Sequence, residues 1–549
     1  MPVWDYIIIG GGAAACVLAN RLTENASMRV LLLEAGPRDR SIWIDIPAGF
    51  TKLLNHKKFS WNFEIDAGEG MNRRRLPLSS GRTLGGSSSI NGLLYVRGQP
   101  LDYDTWSQLG NWGWSYADLL PYFKKSEHYE GSGDESRGRG GLLNVRDIDE
   151  HHVLGDAFID AAQASGFPRK KDYNNGRQEG FGYYQVTIKN GRRWSAARAF
   201  LDPARARRNL CIETNALVNR ILLEGKRAVG IGYTLHGEKR KARCGREVIL
   251  SCGAVQSPGV LERSGIGQPE VLKNLGIEVC HELKGVGENY GNHCALDMNW
   301  RVNQPITINE QARGLRLLRE IVRYYFTGTG LLTRSAGPVF GFVRSLPGLP
   351  TPDVQFHVLP ASYDAAQFPR TRLELKPGMT VTINQCRPDS RGSIHIKSRV
   401  ASSEPLIQSN FLCAETDRDC TVAGMQIARK IMQHPTIAKY IAFEHSPGEK
   451  IQTYDEWLDY ARRAGRTMYH PVGTCKMGHD PMAVVDDRLR VRGLAGLRVI
   501  DASIMPTVPS GNTCGPTIMV AEKGADLIKE SANEAVKIAA QTVELSPKA

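Results

Sequence analysis

The sequence predicts an α/β protein: a Rossmann-like, doubly wound domain built from separated segments, with an inserted α+β domain on an antiparallel sheet. Three observations carry this prediction. Residues 5–34 are predicted to form a strand, a helix and a second strand. Short buried strands of the same kind are predicted at 248–251 and 497–502. In residues 350–400, apolar and polar residues alternate with a period of two. Parallel-type strands at the start, the middle and the end, with an antiparallel part between them, are typical of one domain interrupted by another.

The first unit joins a strand to a helix through a glycine-rich turn. The apolar run at 5–9 meets Gly10-Gly11-Gly12 without a spacer, and a small-residue helix follows to about Leu22. Gly10 permits the tight turn, and Gly12 lets the backbone approach a pyrophosphate, which the free N–H groups of the helix N-terminus bind. The turn therefore predicts a dinucleotide site, and the alternative is a structural turn with no ligand.

The second strand of this unit, residues 29–34, ends on an acid that narrows the choice of dinucleotide. Glu34 lies 24 residues after Gly10, where a carboxylate accepts hydrogen bonds from an adenosine ribose. The same carboxylate repels a 2′-phosphate, so the position disfavours NADP.

The middle of the chain predicts a half-exposed antiparallel sheet. Val354, Phe356 and Val358 alternate with polar residues, as do the apolar residues of 379–383, and a turn signal at 387–392 precedes a third short run. Period-two alternation indicates strands with one face on a core and one face exposed. Such a sheet is a natural wall for a substrate pocket.

Three connecting segments complete the predicted architecture. Residues 131–141 are expected to form a polar surface loop, Ser257-Pro258 to open a helix, and Pro516 to start a final helix that runs past Leu527. The resulting division assigns to the doubly wound domain residues 1–150, 205–300 and 470–535, and to the inserted substrate-binding domain residues 151–204 and 301–469.

The basic charge of the chain does not indicate a nucleic acid partner. The 549 residues carry a formal net charge of +13, which by itself fits nucleic acid, a membrane surface or another anionic partner. The arginines are dispersed, however, and no basic run is interleaved with aromatic residues. We therefore expect no binding of nucleic acid.

One segment, residues 313–325, combines basic and apolar residues at helical spacing. Its arginines recur opposite a set of large apolar residues, the two sets being Arg313, Arg316, Arg319 and Arg323 against Leu315, Leu318, Val322 and Tyr325. The favoured interpretation is a helix that packs its apolar side on the core and leaves a solvated basic face. The alternative is docking to an anionic membrane surface or to an acidic electron acceptor.

Cysteine usage and the N-terminus indicate a cytoplasmic protein. No run of 18 apolar residues predicts a transmembrane helix, and the chain enters its first strand without a basic and apolar leader. The eleven cysteines are odd in number and include no Cys-x-x-Cys pair, which predicts reduced thiols rather than a disulfide set. No metal site is predicted, and peripheral contact with a membrane stays open through residues 313–325.

Three signatures together resemble the glucose–methanol–choline (GMC) family of FAD-dependent oxidoreductases. They are the N-terminal turn with Glu34-Ala35-Gly36, the block from Gly81 to Asn91 that continues to Gly98, and the block from Gly253 to Gly267. The resemblance spans Asp5 to about Ile528, and among subgroups it points to choline dehydrogenase-like and sorbose dehydrogenase-like members. It implies an FAD-binding fold with FAD as the cofactor.

The resemblance assigns residues to FAD, and their chemistry agrees with it. The loop at 85–88 is rich in N–H and hydroxyl donors suited to the pyrophosphate and ribityl chain. The implied FAD ligands are Gly10, Gly12, Ala13, Ala14, Glu34, Ala35, Arg82, Gly85, Gly86, Ser87, Asn91, Gly92, Val218, Asp501, Ala502, Asn512 and Thr513. Non-covalent FAD is expected, because Ile90 stands where choline oxidases carry the linking His, and its neighbours Ser89 and Asn91 are poor nucleophiles.

The resemblance also supplies a catalytic pair. His470, within Tyr469-His470-Pro471-Val472-Gly473, matches the segment that carries the family's catalytic His, and Asn512 occupies the place where members carry His or Asn. Flavin N5 accepts a hydride but not the alcohol proton, which a neutral imidazole can take. We expect His470 to accept that proton and Asn512 to hydrogen-bond the alcohol oxygen. The implied reaction oxidises a primary alcohol to the aldehyde and passes the electrons to O₂ or another acceptor.

Other residues near these motifs are weaker candidates. His293 follows Asn292, where the family segment usually has Asp, and we expect a structural role for His293. His479 lies just after the catalytic block. Four aromatic residues are either pocket lining or core, namely Trp61, Phe340, Phe342 and Tyr469.

Three alternatives to alcohol oxidation differ in what they require of these residues. Cys386-Arg387-Pro388 resembles a segment of fatty-acid photodecarboxylases, which suggests photodecarboxylase-like or lyase-like chemistry, but those enzymes lack a histidine in the position of His470. A flavin-binding protein without turnover is disfavoured by the His470 and Asn512 pair. An NAD-dependent dehydrogenase would bind no flavin.

Overall fold

The computed structural model describes residues 3–363 and 372–544. The strands are β1 Val3–Ile9, β2 Val30–Glu34, β3 Ser60–Asp66, β4 Arg75–Gly81, β5 Glu127–Tyr129, β6 Leu143–Asp147, β7 Gly180–Tyr183, β8 Gln185–Val186, β9 Ile188–Lys189, β10 Arg192–Arg193, β11 Leu210–Thr214, β12 Ala216–Glu224, β13 Arg227–Leu235, β14 Glu238–Leu250, β15 Ile266–Gly267, β16 His281–Glu282, β17 Cys294–Val302, β18 Val339–Val343, β19 Val354–Leu359, β20 Gly378–Gln385, β21 Ser393–His395, β22 Leu406–Gln408, β23 Ile441–Ser446, β24 Arg466–Thr467 and β25 Leu497–Val499. The helices are α1 Ala13–Leu22, α2 Ile42–Asp45, α3 Phe50–Leu53, α4 Pro100–Gln108, α5 Tyr116–Ser126, α6 Val153–Ala164, α7 Asp202–Ala204, α8 Gly253–Arg263, α9 Pro269–Asn274, α10 Ile308–Gln311, α11 Gly314–Thr327, α12 Glu415–Met432, α13 Pro435–Ala438, α14 Tyr454–Ala464 and α15 Cys514–Glu544.

β1 lies inside a seven-stranded sheet ordered β11-β2-β1-β14-β13-β12, with β25 paired to β14. β1 pairs in parallel with β2 and β14, β11 and β25 extend this parallel part, and β12 and β13 add an antiparallel edge. Ile7, Leu32 and Ile249 are fully buried. α1 packs on β1 and β2 and is itself covered by α15. Apolar parallel strands beneath helices confirm the predicted doubly wound fold.

A second seven-stranded sheet, ordered β23-β17-β20-β19-β18-β7 with β24 on β17, is antiparallel throughout. It contains two of the three predicted runs, as β19 and β20, whereas the third run forms β21 in a separate four-stranded sheet with β22, β3 and β4. The expected exposed face is wrong, because Gln355, His357 and Thr380 are as buried as the apolar residues beside them. α12 covers the apolar face, where Gly424 lies against Ile383, and the polar face closes an internal cavity. β17 crosses the predicted domain boundary at residue 300, and the division into domains stays a prediction.

Two predicted helix starts differ in detail. α8 begins at Gly253 and carries Pro258 inside it rather than at its start. The proline cannot donate to the carbonyl oxygen of Ala254, and the Thr474 hydroxyl donates to that oxygen instead, at 2.6 Å. α15 begins at Cys514, which places Pro516 in its first turn as predicted.

The predicted surface loop at 131–141 is anchored by a buried charge cluster. Arg137 is 3% exposed, and its guanidinium pairs with Glu127 at 2.5 Å and with Asp172 at 2.9 Å. The segment is a loop whose residues are mostly exposed or half-buried, as predicted, and these ion pairs hold its centre at Arg137 inside the protein.

α11 departs furthest from its prediction. Its inward side is formed by Leu317, Ile321 and Tyr324, whereas the residues expected to face the core are exposed, namely Leu315, Leu318, Val322 and Tyr325. The expectation of a core-packed apolar side is wrong, because the helix uses the adjacent positions for packing. A row of large apolar side chains is left at the surface.

Three further features concern membrane-spanning helices, metal-binding groups and cysteines. Within residues 3–363 and 372–544, no helix is both long enough and apolar enough to cross a membrane. The same residues contain no group of three or more His, Cys, Asp or Glu side chains arranged to hold a metal ion. All eleven cysteines are free thiols.

Candidate active site

A cavity of about 1470 Å³ is lined by residues from both large sheets. Its cofactor half is lined by the ends of β1 and β2 and by residues 251–254 and 501–502. Its substrate half is lined by the polar face of the antiparallel sheet, including His357 and Thr382. His470 and Asn512 line the same cavity, so the structure brings the predicted catalytic pair and the predicted cofactor residues to one place.

The first glycine turn opens the N-terminus of α1 onto the cavity. Gly10 has φ +94°, and a Cβ there would lie 2.5 Å from the carbonyl oxygen of Ser251. Gly12 is the N-cap residue of α1, no side chain of the described residues caps this helix, and Ala13 and Ala14 line the cavity. The open N–H groups and the positive end of the helix dipole fit a pyrophosphate.

The second signature loop packs directly on the first. The N–H of Gly85 donates to the carbonyl oxygen of Gly11 at 2.7 Å. Gly86 has φ +52°, and a Cβ there would lie 2.8 Å from the Cα of Gly12. The two glycine segments therefore form one cradle, although they are far apart in the sequence.

Glu34 is held by two backbone N–H groups, one from the glycine turn before it and one from the residue two positions after it. Its Oε2 accepts from the N–H of Gly11 and its Oε1 from the N–H of Gly36, both at 2.7 Å. Burial raises the pKa of this carboxyl to about 7, against the opposing effect of the two backbone hydrogen bonds. Each carboxylate oxygen keeps a second lone pair, so Glu34 fits the predicted ribose contact.

Most of the predicted cofactor residues line the cavity. Those that do are Gly10, Gly12, Ala13, Ala14, Glu34, Ala35, Gly86, Ser87, Asn91, Gly92, Val218, Asp501, Ala502, Asn512 and Thr513. Gly85 lies behind the lining, and so does Arg82, whose guanidinium stacks on the ring of Trp61 at 4.5 Å. Asp501 is held in place by the N–H of Gly253 and the Ser257 hydroxyl.

Arg193, which the sequence did not reveal, braces the second loop from inside the protein. Its side chain is fully buried, and Nη1 donates to the carbonyl oxygens of Ser88 and Asn91 and to Oδ1 of Asn91. Burial lowers the pKa of Arg193 to about 9. Nothing in the two-residue strand β10 signals this role, because the contact depends on the fold.

His470 is buried against a second histidine. Its Nδ1 lies 2.9 Å from Nδ1 of His293, and its Nε2 lies 3.1 Å from Nδ2 of Asn512. The Nε2 of His293 lies 2.8 Å from the carbonyl oxygen of Cys386. Asn292 accepts from the backbone N–H of His470 at 2.9 Å. The ring of His293 therefore contacts the predicted base, and the expectation of a structural role for His293 stays a prediction.

These contacts assign the tautomer of His470. A carbonyl oxygen only accepts, so Nε2–H of His293 donates to Cys386. Nδ1 of a neutral His293 then accepts from Nδ1–H of His470, and the lone pair of His470 lies on Nε2. The basic nitrogen is therefore the one that faces Asn512.

Burial keeps these histidines neutral. It lowers the pKa of His470 well below the usual value, and the nearby His293 and His357 lower it further. Burial also lowers the pKa of His293 to about 4 and that of His357 to about 3. No carboxylate of the described residues forms an ion pair with His470, so its imidazole rests in the form that accepts a proton.

His357 is a further polar group in the substrate half. It is 3% exposed, its ring stacks on Tyr184 with centroids 5.2 Å apart, and neither ring nitrogen has a hydrogen-bond partner in the described part of the chain. Buried polar atoms normally have partners. Its place on the cavity wall suits a contact with a bound ligand. The sequence feature that could have indicated this role is the alternation of apolar and polar residues at 354–358.

The other candidates divide between cavity, core and surface. Trp61 and Tyr469 line the cavity, whereas Phe340 and Phe342 are fully buried in the core. His479 does not line the cavity, and its side chain is 55% exposed.

Comparison with known proteins identifies relatives across nearly the whole chain. A family model described as GMC oxidoreductase matches residues 4–295, and a second model of the same description matches 388–521. The chain is 41% identical over 536 residues to the mitochondrial choline dehydrogenase of Homo sapiens, covering 96% of this chain and 90% of that protein. It is 41% identical over 534 residues to an alcohol dehydrogenase [acceptor] of Pseudomonas putida, covering 96% of both. Among solved structures, pyridoxine 4-oxidase from Mesorbium loti matches with a TM-score of 0.87 at 29% identity, covering 95% of this chain and 98% of that one.

Proposed function

Because this chain belongs to the GMC oxidoreductase family, we propose that it oxidises a primary alcohol to the aldehyde with His470 as the general base. The chain is an FAD-dependent alcohol oxidoreductase. Bound FAD supplies a flavin N5 that accepts the hydride of the carbinol carbon. The observation that carries the assignment of the base is the 3.1 Å contact in the cavity wall between the Nε2 lone pair of His470 and the amide of Asn512.

The proton step is assigned to Nε2 of His470. With Nδ1–H donated to His293, Nε2 is the position that takes the hydroxyl proton of a bound alcohol. Nδ2 of Asn512 donates to the alcohol oxygen and stabilises negative charge that develops there. General-base assistance of this kind contributes about 10²- to 10⁴-fold.

The cofactor half is assigned to FAD through backbone groups. The uncapped start of α1 and the cradle around Gly86 suit the pyrophosphate, and Glu34 suits the ribose. α15 begins at Cys514, and Thr513 and Cys514 line the cavity, so the positive end of this long helix lies beside the catalytic pair. That end favours negative charge in the cavity during the reaction.

We infer that FAD is held without a covalent link. Ile90 lines the cavity and has no nucleophilic atom, while Ser89 donates its hydroxyl to the carbonyl oxygen of Leu84 and Asn91 is engaged by Arg193. Acid precipitation of the purified protein should therefore leave a yellow supernatant and a white pellet. A pellet that stays yellow would contradict this assignment.

The substrate half supports an uncharged alcohol with an apolar body. Much of its lining is aliphatic, including Leu317, Ile321 and Leu359. Its carboxylate at Glu374 is already paired with Arg301, so no unpaired carboxylate of the described residues lines this half to receive a quaternary ammonium group. We therefore expect aliphatic alcohols to reduce the flavin faster than choline does.

The acceptor and the location of the enzyme belong to the same proposal. Electrons leave the reduced enzyme to O₂ or to another small acceptor, as the oxidase and dehydrogenase names of its relatives suggest. The eleven free thiols support a cytoplasmic location, and the exposed face of α11 supports peripheral contact with a membrane.

The experiment that tests this function is an anaerobic panel of primary alcohols, choline and aldehydes, scored by bleaching of the flavin absorbance. Bleaching by a primary alcohol supports the proposal, and admission of O₂ then separates an oxidase from a dehydrogenase. Failure of every alcohol to bleach the flavin would contradict it. Photodecarboxylase-like or lyase-like chemistry is not favoured, because the comparisons point to alcohol and choline enzymes.

A further inference from the structure

The exposed face of α11 is a surface feature that the proposed reaction does not use. Five large apolar side chains stand on it, with Leu315 at 83% and Phe326 at 86% exposure, and the set is Leu315, Leu318, Val322, Tyr325 and Phe326. At about 100° per residue, these five positions fall within an arc of about 100°. Isolated exposed apolar residues are ordinary, but a contiguous row of them marks a binding surface.

A basic stripe runs beside this apolar arc. Arg316, Arg319 and Arg323 occupy the adjacent arc of about 60° on the same helix. Arg323 pairs with Glu150, whereas Arg316 and Arg319 form no ion pair with any residue that the structure describes. Apolar side chains flanked by arginines are the pattern of a helix that lies in the headgroup region of an anionic bilayer.

α11 is also the wall between this surface and the cavity. Leu317 and Ile321, on its inward side, line the substrate half. Trp43 and Leu375 line the same cavity, and both are exposed to solvent as well. Apolar side chains therefore continue from the cavity lining to the surface.

We propose that α11 docks the protein on an anionic lipid bilayer, from which an apolar alcohol enters the substrate half. The second part of this inference rests on the proposed function. Charge selects the lipid surface over a second copy of this chain, because two copies would set the same arginines and two net charges of +13 against each other. The apolar row favours lipid over an acidic protein, because the carboxylates of such a partner would lie against five apolar side chains.

The test is flotation of the FAD-loaded protein with vesicles of equal parts phosphatidylcholine and phosphatidylglycerol. The protein should float with these vesicles and remain unbound with vesicles of phosphatidylcholine alone. The double substitution Arg316→Gln with Arg319→Gln should weaken binding by about 30-fold. The triple substitution Leu315→Ser, Leu318→Ser and Phe326→Ser should weaken it by at least about 100-fold.

A matched control removes an equally exposed aromatic elsewhere. Trp112 is 78% exposed and lies outside α11, so Trp112→Ser should bind vesicles as the unchanged protein does. Anaerobic flavin reduction by a short, water-soluble alcohol should be unchanged in all of these variants, because none of the substituted side chains lines the cavity.

Two results would overturn the docking proposal. One is a protein that stays unbound or that floats equally well with both kinds of vesicle. The other is self-association in light scattering, lost on the triple substitution, without flotation, which would assign the face to a second copy of the chain. Flotation without flavin reduction by any alcohol would leave the docking intact and reject the proposed function instead.

Discussion

The two halves of the cavity are built by different means. In the cofactor half the backbone makes the site, through the uncapped start of α1, two glycine segments in contact, and Glu34 held by N–H groups. In the substrate half the side chains make the site, and His470, His293 and His357 come from three distant segments. A site built from backbone groups favours glycine wherever φ is positive or two backbone segments are in contact, so it leaves a recognisable sequence pattern. A site built from side chains on distant segments leaves no such local pattern.

The largest effect is expected from a substitution in the cofactor half that leaves the fold intact. Gly12 has φ −72°, and a Cβ there would have only the Ser251 carbonyl oxygen nearby, at 3.7 Å. Gly12→Asp should therefore fold, but its carboxylate would cap α1 and repel the pyrophosphate. We expect a colourless protein with an unchanged circular dichroism spectrum.

The control for this variant is Gly245→Asp, at an exposed glycine outside the cavity whose Cβ would have 3.5 Å of clearance. It should keep one FAD per chain, measured by absorbance after release. A Gly12→Asp protein that binds FAD as tightly as the unchanged chain would refute the backbone assignment of the cofactor half.

In the substrate half, the positioning role of His293 is expected to show as a smaller loss. His293→Leu removes the acceptor for Nδ1–H of His470 and should lower kcat for alcohol oxidation by about 10- to 100-fold, because the base loses its orientation. His293→Gln keeps both an acceptor and a donor, and should restore most of the rate. Equal rates for the Leu and Gln variants would indicate that His293 only fills space.

The smallest predicted effect concerns acid stability. The unfolded chain protonates His357 below about pH 6.5, whereas the folded protein keeps it neutral down to about 3, so stability falls as the pH drops between these values. His357→Phe should remove about 2 kcal/mol of the loss between pH 7 and pH 5. Unfolding midpoints at the two pH values, with the exposed His479→Phe as control, measure this difference. An unchanged acid sensitivity in His357→Phe would contradict the buried neutral imidazole.

Glu34 in the cofactor half and His357 in the substrate half change the stability of the folded protein in opposite directions as the pH falls. Its carboxyl has a pKa of about 7 in the folded protein, above the unfolded value of 4.5, so the folded state takes up a proton first as the pH falls. That uptake adds stability below about pH 7, where His357 subtracts it. The comparison of single variants is therefore needed, because the pH profile of the whole protein contains both contributions.

The same contrast explains what could be predicted from the sequence. The doubly wound sheet, the glycine turns and Glu34 were predicted because strand length, turn chemistry and the spacing between motifs can be read locally from the sequence. His470 and Asn512 came from the family resemblance, and the structure places them in contact. The contact of His293 with His470, the brace at Arg193 and the outward face of α11 were not predicted, because each depends on which distant segment packs alongside.

The period-two alternation at 354–358 predicted the strand correctly but predicted the exposure of its polar face wrongly. The strand is present as β19, yet its polar residues are buried. Alternation separates the two faces of a strand but does not tell solvent from an internal cavity. A polar face is therefore as consistent with a binding site as with the surface.

We expect the substrate half to perform the proton step without contributing to cofactor retention, and anaerobic flavin reduction in His470→Ala separates these two roles. The variant should be yellow with one FAD per chain, and an active alcohol should bleach its flavin about 10²- to 10⁴-fold more slowly than that of the unchanged protein. Asn512→Ala, which removes a positioning hydrogen bond rather than the base, should lose less. Near-normal bleaching in His470→Ala would rule out His470 as the general base.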